Sequence, residues 1–178
     1  MSNYKINIDG IVETEDFYLI GYQRFSNFKK DFHEVMIKDY SKLGEYIAKV
    51  KPAAPMVAVY KAFNMESMDV YTLHAIPVEP TEETAKECVK ILEETGGMWA
   101  VIPPYEAVLK LTLEGSYDNL MEAWEKAYNF IKENELVADE YASPWESYKV
   151  HPGLTDGDDS KLITEIFIPL IPMEEEEE

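Results

Sequence analysis

Two stretches of the sequence repeat each other in letters and in order. The segment "VAVYKA" (57–62) aligns with "WESYKV" (145–150), and further along "YTLHAIPV" (71–78) aligns with "ITEIFIPL" (163–170). Either match alone would be weak, but two matches in the same order indicate an internal duplication. The distance between the copies is too long for a solenoid. We therefore expect two similar units packed as a pair, with a ligand-binding cleft between them.

The first copy, over residues 17–78, has the pattern of a β-α-β-β unit. The segments 17–25, 55–63 and 68–78 are rich in β-branched and aromatic residues, which predicts three strands. Apolar residues recur mostly at steps of three and four over residues 27–50, which predicts a long helix after the first strand.

The second copy, over residues 98–171, predicts the same order of elements. Residues 98–115 are extended, with a break at two prolines, and an amphipathic stretch over residues 117–134 predicts a helix. Two further strands are predicted over 144–151 and 162–171.

These elements predict a single α+β domain over residues 1–172. Its fold would be a duplicated β-α-β-β repeat, with two antiparallel sheets and long helices around a central ligand cleft. The amphipathic segment 81–95 predicts a further helix inserted between the repeats. The last residues, 173–178, end in five consecutive glutamates and predict a disordered acidic tail.

The charge of the chain limits the partners that it can have. The 178 residues include 35 acidic and 16 basic ones, for a net charge of −19. Such a surface repels phosphate backbones and attracts small cations or basic protein surfaces. We therefore predict no direct binding of nucleic acid. The sequence has no signal-peptide pattern and no apolar run near 18 residues, which predicts a cytoplasmic protein that does not enter membranes.

Glu146 is the main departure from symmetry between the two copies, because it aligns with Ala58. Alternate side chains of a strand share a face, so Glu146 lies on the face of Tyr148, and Trp145 faces the other way. In the first copy the matching face is apolar apart from Tyr60. Two interpretations remain open. Glu146 is solvated or paired with a lysine on an edge strand, or it is buried and retained for a function.

Motifs for metal or cofactor chemistry are missing from the sequence. Its three histidines are not at metal-ligand spacing, and it has no phosphate-binding loop, dinucleotide fingerprint or nucleophile elbow. We therefore predict neither a metal nor a cofactor. Cys88 lies on the apolar stripe of the predicted helix 81–95, which favours a structural thiol over a nucleophile. The remaining candidate is an acid among aromatic residues, which could bind a cation or act as a general acid or base.

The segments "LEGSYDNLMEAWEKAYNFIKENEL" (113–136), "ESYKVHP" (146–152) and "TEIFIPL" (164–170) closely resemble the GyrI-like small-molecule-binding domain. That family includes the DNA gyrase inhibitor protein and the effector-binding domains of AraC-type and multidrug-sensing MerR-type regulators. The marks are a Gly-x-Tyr before a helix, a Trp within that helix, a Glu-x-Tyr strand and a Thr-Glu-Ile-x-Ile-Pro strand. In this sequence they are Gly115, Tyr117, Trp124, Glu146, Tyr148 and residues 164–169.

The resemblance implies two repeats around a cleft that takes hydrophobic and often cationic ligands, with the strand glutamate inside it. By this resemblance and by their aromatic character we expect the following ligand-binding residues: Glu146, Tyr148, Trp124, Tyr60, Tyr105, Trp99, Phe167, Tyr117 and Trp145. No catalytic residue is assigned, apart from Glu146 if the protein is a hydrolase.

Three functions follow from the sequence and the resemblance. The first is a stand-alone small-molecule-binding protein, which could act as an effector sensor in transcription or drug response, although the sequence has no basic helix-turn-helix segment. The second is a hydrolase of cyclopropane-bearing or similar electrophilic natural products, to which some members of the family are similar. The third is an acidic partner of a protein with a basic surface, such as a gyrase inhibitor.

Overall fold

The computed structural model describes residues 3–45 and 52–174 and divides the chain into two compact units. Unit 1 comprises Met1–Thr14 and Pro104–Glu178, and unit 2 comprises Glu15–Pro103. The end of the predicted helix 27–50 and most of the predicted acidic tail lie outside the described residues.

After β1, the described strands and helices follow one another in the order that the sequence predicts. The strands are β1 (Lys5–Thr14), β2 (Phe17–Asn27), β3 (Val57–Phe63), β4 (Asp69–Val78), β5 (Met98–Ile102), β6 (Tyr105–Glu114), β7 (Trp145–Val150) and β8 (Ile163–Pro169). The helices are α1 (Phe32–Gly44), α2 (Glu82–Thr95) and α3 (Leu120–Glu133). None of these helices is long and apolar enough to cross a membrane.

Unit 2 contains the first repeat as β2-α1-β3-β4, and its strands form antiparallel pairs in the order β3-β4-β2-β5. Helix α1 packs on β2 and β4, and α2 packs on β5. Helix α1 begins at Phe32, five residues later than predicted. The reason is a turn in which the Asn27 carbonyl accepts hydrogen bonds from the amides of Lys30 and Asp31, both at 3.1 Å.

Unit 1 contains the second repeat as β6-α3-β7-β8, with antiparallel strand order β1-β6-β8-β7. Helix α3 packs on β6. Two features were not predicted. Strand β1 extends the sheet by pairing with β6, and β5 pairs with β2 of unit 2, although its sequence is continuous with the predicted second repeat. The two prolines between β5 and β6 lack the amide hydrogens that a continuous strand would use.

The duplication is visible in the strand register. Tyr60 of β3 pairs with Thr72 of β4, and the aligned Tyr148 of β7 pairs with Thr164 of β8. In both hairpins the register shifts immediately after the tyrosine. Two copies of a duplicated segment are expected to keep a bulge at the same position. Two unrelated hairpins would rarely have a bulge at the same position by chance. The structure therefore supports the internal repeat inferred from the letters.

The core of unit 2 encloses the one cysteine of the sequence. Cys88 of α2 is 1% exposed and packs among residues that include Ile20, Leu43, Ile76 and Ile91. Burial raises the pKa of the Cys88 thiol to about 11, and the nearby charge of Glu87 acts in the same direction. A thiol in this environment is protonated at neutral pH and is a poor nucleophile.

We predict that Cys88 reacts about a hundredfold more slowly with iodoacetamide at pH 8 in the folded protein than in urea, because only the thiolate reacts. Burial keeps the folded thiol protonated while the unfolded thiol ionises from its ordinary pKa of 9.0. The free energy of unfolding should therefore fall between pH 9 and about 11, and it should fall less in Cys88→Ala. Equal alkylation rates for folded and unfolded protein would contradict the burial of this thiol.

Candidate functional site

Glu146 lies on β7 in unit 1 and is completely buried, at 0% exposure. It pairs across the sheet with Ile166 of β8, and the side chains of Tyr148 and Thr164 share its face by strand alternation. The interpretation of Glu146 as a solvated edge residue is therefore wrong. A buried carboxylate is costly unless the protein supplies hydrogen bonds or an opposite charge.

Two neutral side chains donate hydrogen bonds to this carboxylate, one to each oxygen. The indole Nε1 of Trp124, on α3, donates to Oε1 at 2.8 Å. The hydroxyl of Tyr148, two residues along β7, donates to Oε2 at 2.8 Å. Hydrogen bonds of this kind stabilise an ionised carboxylate and fix its orientation without cancelling its negative charge.

Tyr117 extends the cluster from the turn before α3. Its ring meets the ring of Tyr148 edge-on, at a centroid distance of 5.9 Å. Burial raises the pKa of the Tyr117 phenol strongly, and the negative charges of Glu146 and Asp159 add to this effect. Tyr117 therefore remains a neutral phenol at physiological pH, because burial and the nearby negative charges both oppose its ionisation.

Gly115 makes the turn that places Tyr117 beside the sheet. Its φ is +132°, a backbone conformation that residues other than glycine rarely adopt. A Cβ at this position would lie 2.6 Å from Cβ of Tyr4. The Ser116 hydroxyl accepts a hydrogen bond from the Asp118 amide at 3.2 Å, which caps the short 3₁₀ turn containing Tyr117.

Three of the predicted aromatic residues form a second group, on the other face of the unit 1 sheet. Trp145 stacks on Phe167 at 5.0 Å and on Tyr105 at 6.2 Å. Lys110 lies over the Phe167 ring at 5.9 Å and forms an ion pair with Glu165 at 2.8 Å. Trp145 faces away from Glu146, as strand alternation predicts, so this group does not contribute to the surroundings of the carboxylate.

The two remaining predicted residues belong to unit 2. Tyr60 stacks on Phe32 of α1 at 6.0 Å, and Trp99 of β5 contacts Tyr18 of β2 at 6.0 Å. The structure thus brings Glu146, Trp124, Tyr148 and Tyr117 together in unit 1 and places the other predicted residues in separate groups.

Unit 2 has a buried polar cluster that the sequence did not predict. Asp39 of α1 accepts hydrogen bonds from Arg24 of β2 at 3.0–3.2 Å and contacts Nδ1 of His74 at 2.9 Å. The other ring nitrogen of His74 contacts the Thr72 hydroxyl at 2.9 Å. A carboxylate at Nδ1 holds a proton there, so in the neutral ring Nε2 accepts the hydroxyl proton of Thr72.

The two clusters occupy aligned strand pairs but use different positions. In unit 2 Ala58 pairs with His74, whereas in unit 1 the aligned pair is Glu146 with Ile166. The polar side chain has therefore changed strand between the repeats. The acid of unit 2 is bound to a guanidinium, whereas both donors to Glu146 named above are neutral.

Two surface grooves formed by the described residues lie away from Glu146. One of about 790 Å³ is lined by residues of β1, β6 and the segment after β8, and one of about 740 Å³ runs along α2. Among the described residues no group of three or more His, Cys, Asp or Glu side chains is placed to hold a metal ion. A ligand can reach Glu146 only if the side chains that cover it move.

Comparison with known proteins supports the fold. No protein-family model matches the chain, and no curated protein is significantly similar to it in sequence. Solved structures do match. EcmrR, in a complex with DNA, aligns with a TM-score of 0.72 and 18% identity over 97% of this chain, and this chain spans 59% of that one. The chain therefore shares its fold with this part of EcmrR.

Two smaller neighbours match over nearly their whole length. SAV2435, solved bound to tetraphenylphosphonium, aligns with a TM-score of 0.63 and 13% identity over 96% of this chain and 94% of its own. A hydrolase encoded by lin2189 from Listeria innocua aligns with a TM-score of 0.59 and 11% identity over 94% of this chain and 92% of its own. These similarities confirm the predicted α+β class, and at these identities they concern the fold alone.

The two aligned threonines should respond in opposite ways to valine. Thr72→Val should lower the free energy of unfolding by about 1–3 kcal/mol, because it leaves Nε2 of buried His74 without its hydrogen-bond partner. Thr164→Val should be neutral or raise it by up to about 1 kcal/mol. The Thr164 hydroxyl is buried and has no hydrogen-bond partner among the described residues.

Urea unfolding of the wild type and the two variants measures this difference. Equal destabilisation by the two substitutions would contradict the assignment of hydrogen bonds in the two clusters.

Proposed function

We propose that the protein binds hydrophobic cations and that Glu146 is their charged anchor. The observation that carries the proposal is a fully buried carboxylate held by two neutral donors, Trp124 and Tyr148. Neutral donors orient the carboxylate and compensate part of its desolvation, and a cationic ligand adds a favourable charge interaction in a region of low dielectric constant.

The rings around Glu146 suit the apolar part of such a ligand. Trp124, Tyr148 and Tyr117 surround the carboxylate with indole and phenol rings, whose faces attract cations and whose area favours apolar groups. A cation with delocalised or shielded charge loses little hydration when it enters such a site, whereas a compact inorganic cation loses much. The site therefore favours organic cations.

Access to the carboxylate requires a local change. Glu146 is 0% exposed, while Trp124 is half-buried and its ring stacks on the exposed Tyr128 at 6.1 Å. We infer that a ligand displaces the Trp124 indole from Oε1 and takes its place, so that binding follows an induced fit. The net charge of −19 raises the local concentration of cations at the surface before this step.

A structural neighbour provides further support. SAV2435 was solved with tetraphenylphosphonium, a bulky organic cation, bound to it. Hydrolysis, the second function that the sequence suggests, needs water beside Glu146, and the complete burial of this side chain favours binding over hydrolysis. A sensing role would require that the displacement of Trp124 be transmitted to a partner.

Glu146→Gln should weaken the binding of tetraphenylphosphonium by at least about tenfold, because it removes the anchoring charge and keeps the shape of the side chain. Loss of one member of a buried charge pair commonly costs about 2–5 kcal/mol. Isothermal titration calorimetry of wild type and variant measures the change.

The matched control is Glu165→Gln. It changes the net charge equally, but Glu165 lies on the other face of β8 in an ion pair with Lys110. The proposal fails if the two variants bind tetraphenylphosphonium equally well, or if the wild type does not bind it or any other hydrophobic cation.

A further inference from the structure

Thr164 is a buried hydroxyl on the same sheet face as the Glu146 carboxylate. It lies on β8, is 0% exposed, and pairs across the sheet with Tyr148, whose own hydroxyl donates to Glu146. Among the described residues the Thr164 hydroxyl oxygen has no hydrogen-bond partner. More than nine in ten buried polar groups in proteins are hydrogen-bonded, so this exception requires an explanation.

The internal repeat supplies the comparison. Thr72 occupies the aligned position in unit 2, pairs with the aligned Tyr60, and is equally buried. Its hydroxyl contacts Nε2 of His74 at 2.9 Å. In unit 1 the position of His74 is taken by Ile166, a side chain without a polar atom. The threonine hydroxyl is thus present in both repeats. Only in unit 2 does the same strand also supply a hydrogen-bond partner for it, His74.

We propose that Thr164 is a specificity-determining residue that, together with Glu146, selects cations bearing N–H groups. This inference rests on the proposed function. An ammonium, amidinium or guanidinium group can donate one hydrogen to a carboxylate oxygen of Glu146 and another to the Thr164 hydroxyl. A quaternary ammonium or a phosphonium interacts with the charge of Glu146 but has no hydrogen to donate to Thr164.

The preference has a physical basis in the burial of the hydroxyl. A bound quaternary cation leaves the Thr164 oxygen unpaired, as it is in the unbound protein, whereas an N–H donor satisfies it. Sites built to hydrogen-bond a ligand discriminate strongly against analogues that lack the matching group, because their own polar atoms then remain unpaired. The ligand class is therefore an amine, amidine or guanidine, protonated at neutral pH and attached to an apolar or aromatic body.

The test compares two probes with the same apolar body, 4-phenylbutylammonium and its N,N,N-trimethyl analogue, in which methyl groups replace the three N–H hydrogens. Calorimetry at pH 7, where an alkylamine is fully protonated, gives the ratio of their dissociation constants for each protein. In the ratio of the two dissociation constants, the contribution of the shared apolar body cancels. When this ratio is compared between wild type and variant, the contribution of the added methyl groups cancels as well.

In Thr164→Val the ratio of the trimethyl to the parent dissociation constant should fall by about tenfold from its wild-type value. Thr164→Ser, which keeps the hydroxyl, should retain most of the wild-type ratio. Thr112→Val is the control, because the Thr112 hydroxyl donates a hydrogen bond to the Asp9 carboxylate on the other face of the unit 1 sheet. It should leave the ratio unchanged.

The outcomes separate the two proposals. If tetraphenylphosphonium and both probes bind in a manner that depends on Glu146, but Thr164→Val and Thr112→Val give the same ratio, the role of Thr164 is overturned and cation binding stands. If no cation binds, or binding is indifferent to Glu146→Gln, both proposals are overturned. A selective fall in Thr164→Val with recovery in Thr164→Ser supports both.

Discussion

A carboxylate that is removed from water must be compensated by the protein around it, and the burial of Glu146 imposes this condition on unit 1. The register of β7 directs the side chain beneath α3, the position of Trp124 on that helix supplies one donor, and Tyr148 supplies the other. The glycine turn before α3 brings Tyr117 against Tyr148. Each of these features positions a neutral polar group or a ring near one negative charge.

The two repeats bury an acid in different ways. In unit 2 the acid is on the helix, where Asp39 meets the guanidinium of Arg24 and the ring of His74. In unit 1 the acid is on the strand and receives hydrogen bonds from an indole and a phenol. An acid bound to a guanidinium fastens α1 to its sheet. An acid held by neutral donors can exchange one of them for a cation, and this difference is why we propose ligand binding for unit 1 and a structural role for the cluster in unit 2.

Periodicity and repetition predicted the strands from β2 onward, their order with the helices and the face of Glu146, because these depend on local alternation and on the comparison of two copies. Strand β1 was missed, since the alternation in its sequence is interrupted at Gly10, where the register shifts. Asp39 was missed although it lies three residues after Met36 and four before Leu43, on the buried stripe of α1. The state of the Thr164 hydroxyl could not be predicted at all, because it depends on which side chain stands beside it in the folded sheet.

The most direct test of the central claim is a crystal structure of the protein with tetraphenylarsonium, whose arsenic atom is located by its anomalous scattering. We expect one strong peak within about 6 Å of the Glu146 carboxylate, the range over which rings and charges attract a cation, with the Trp124 indole displaced from Oε1. A peak confined to the groove along α2, or to the groove beside β1 and β6, with Glu146 still bonded to Trp124, would contradict it.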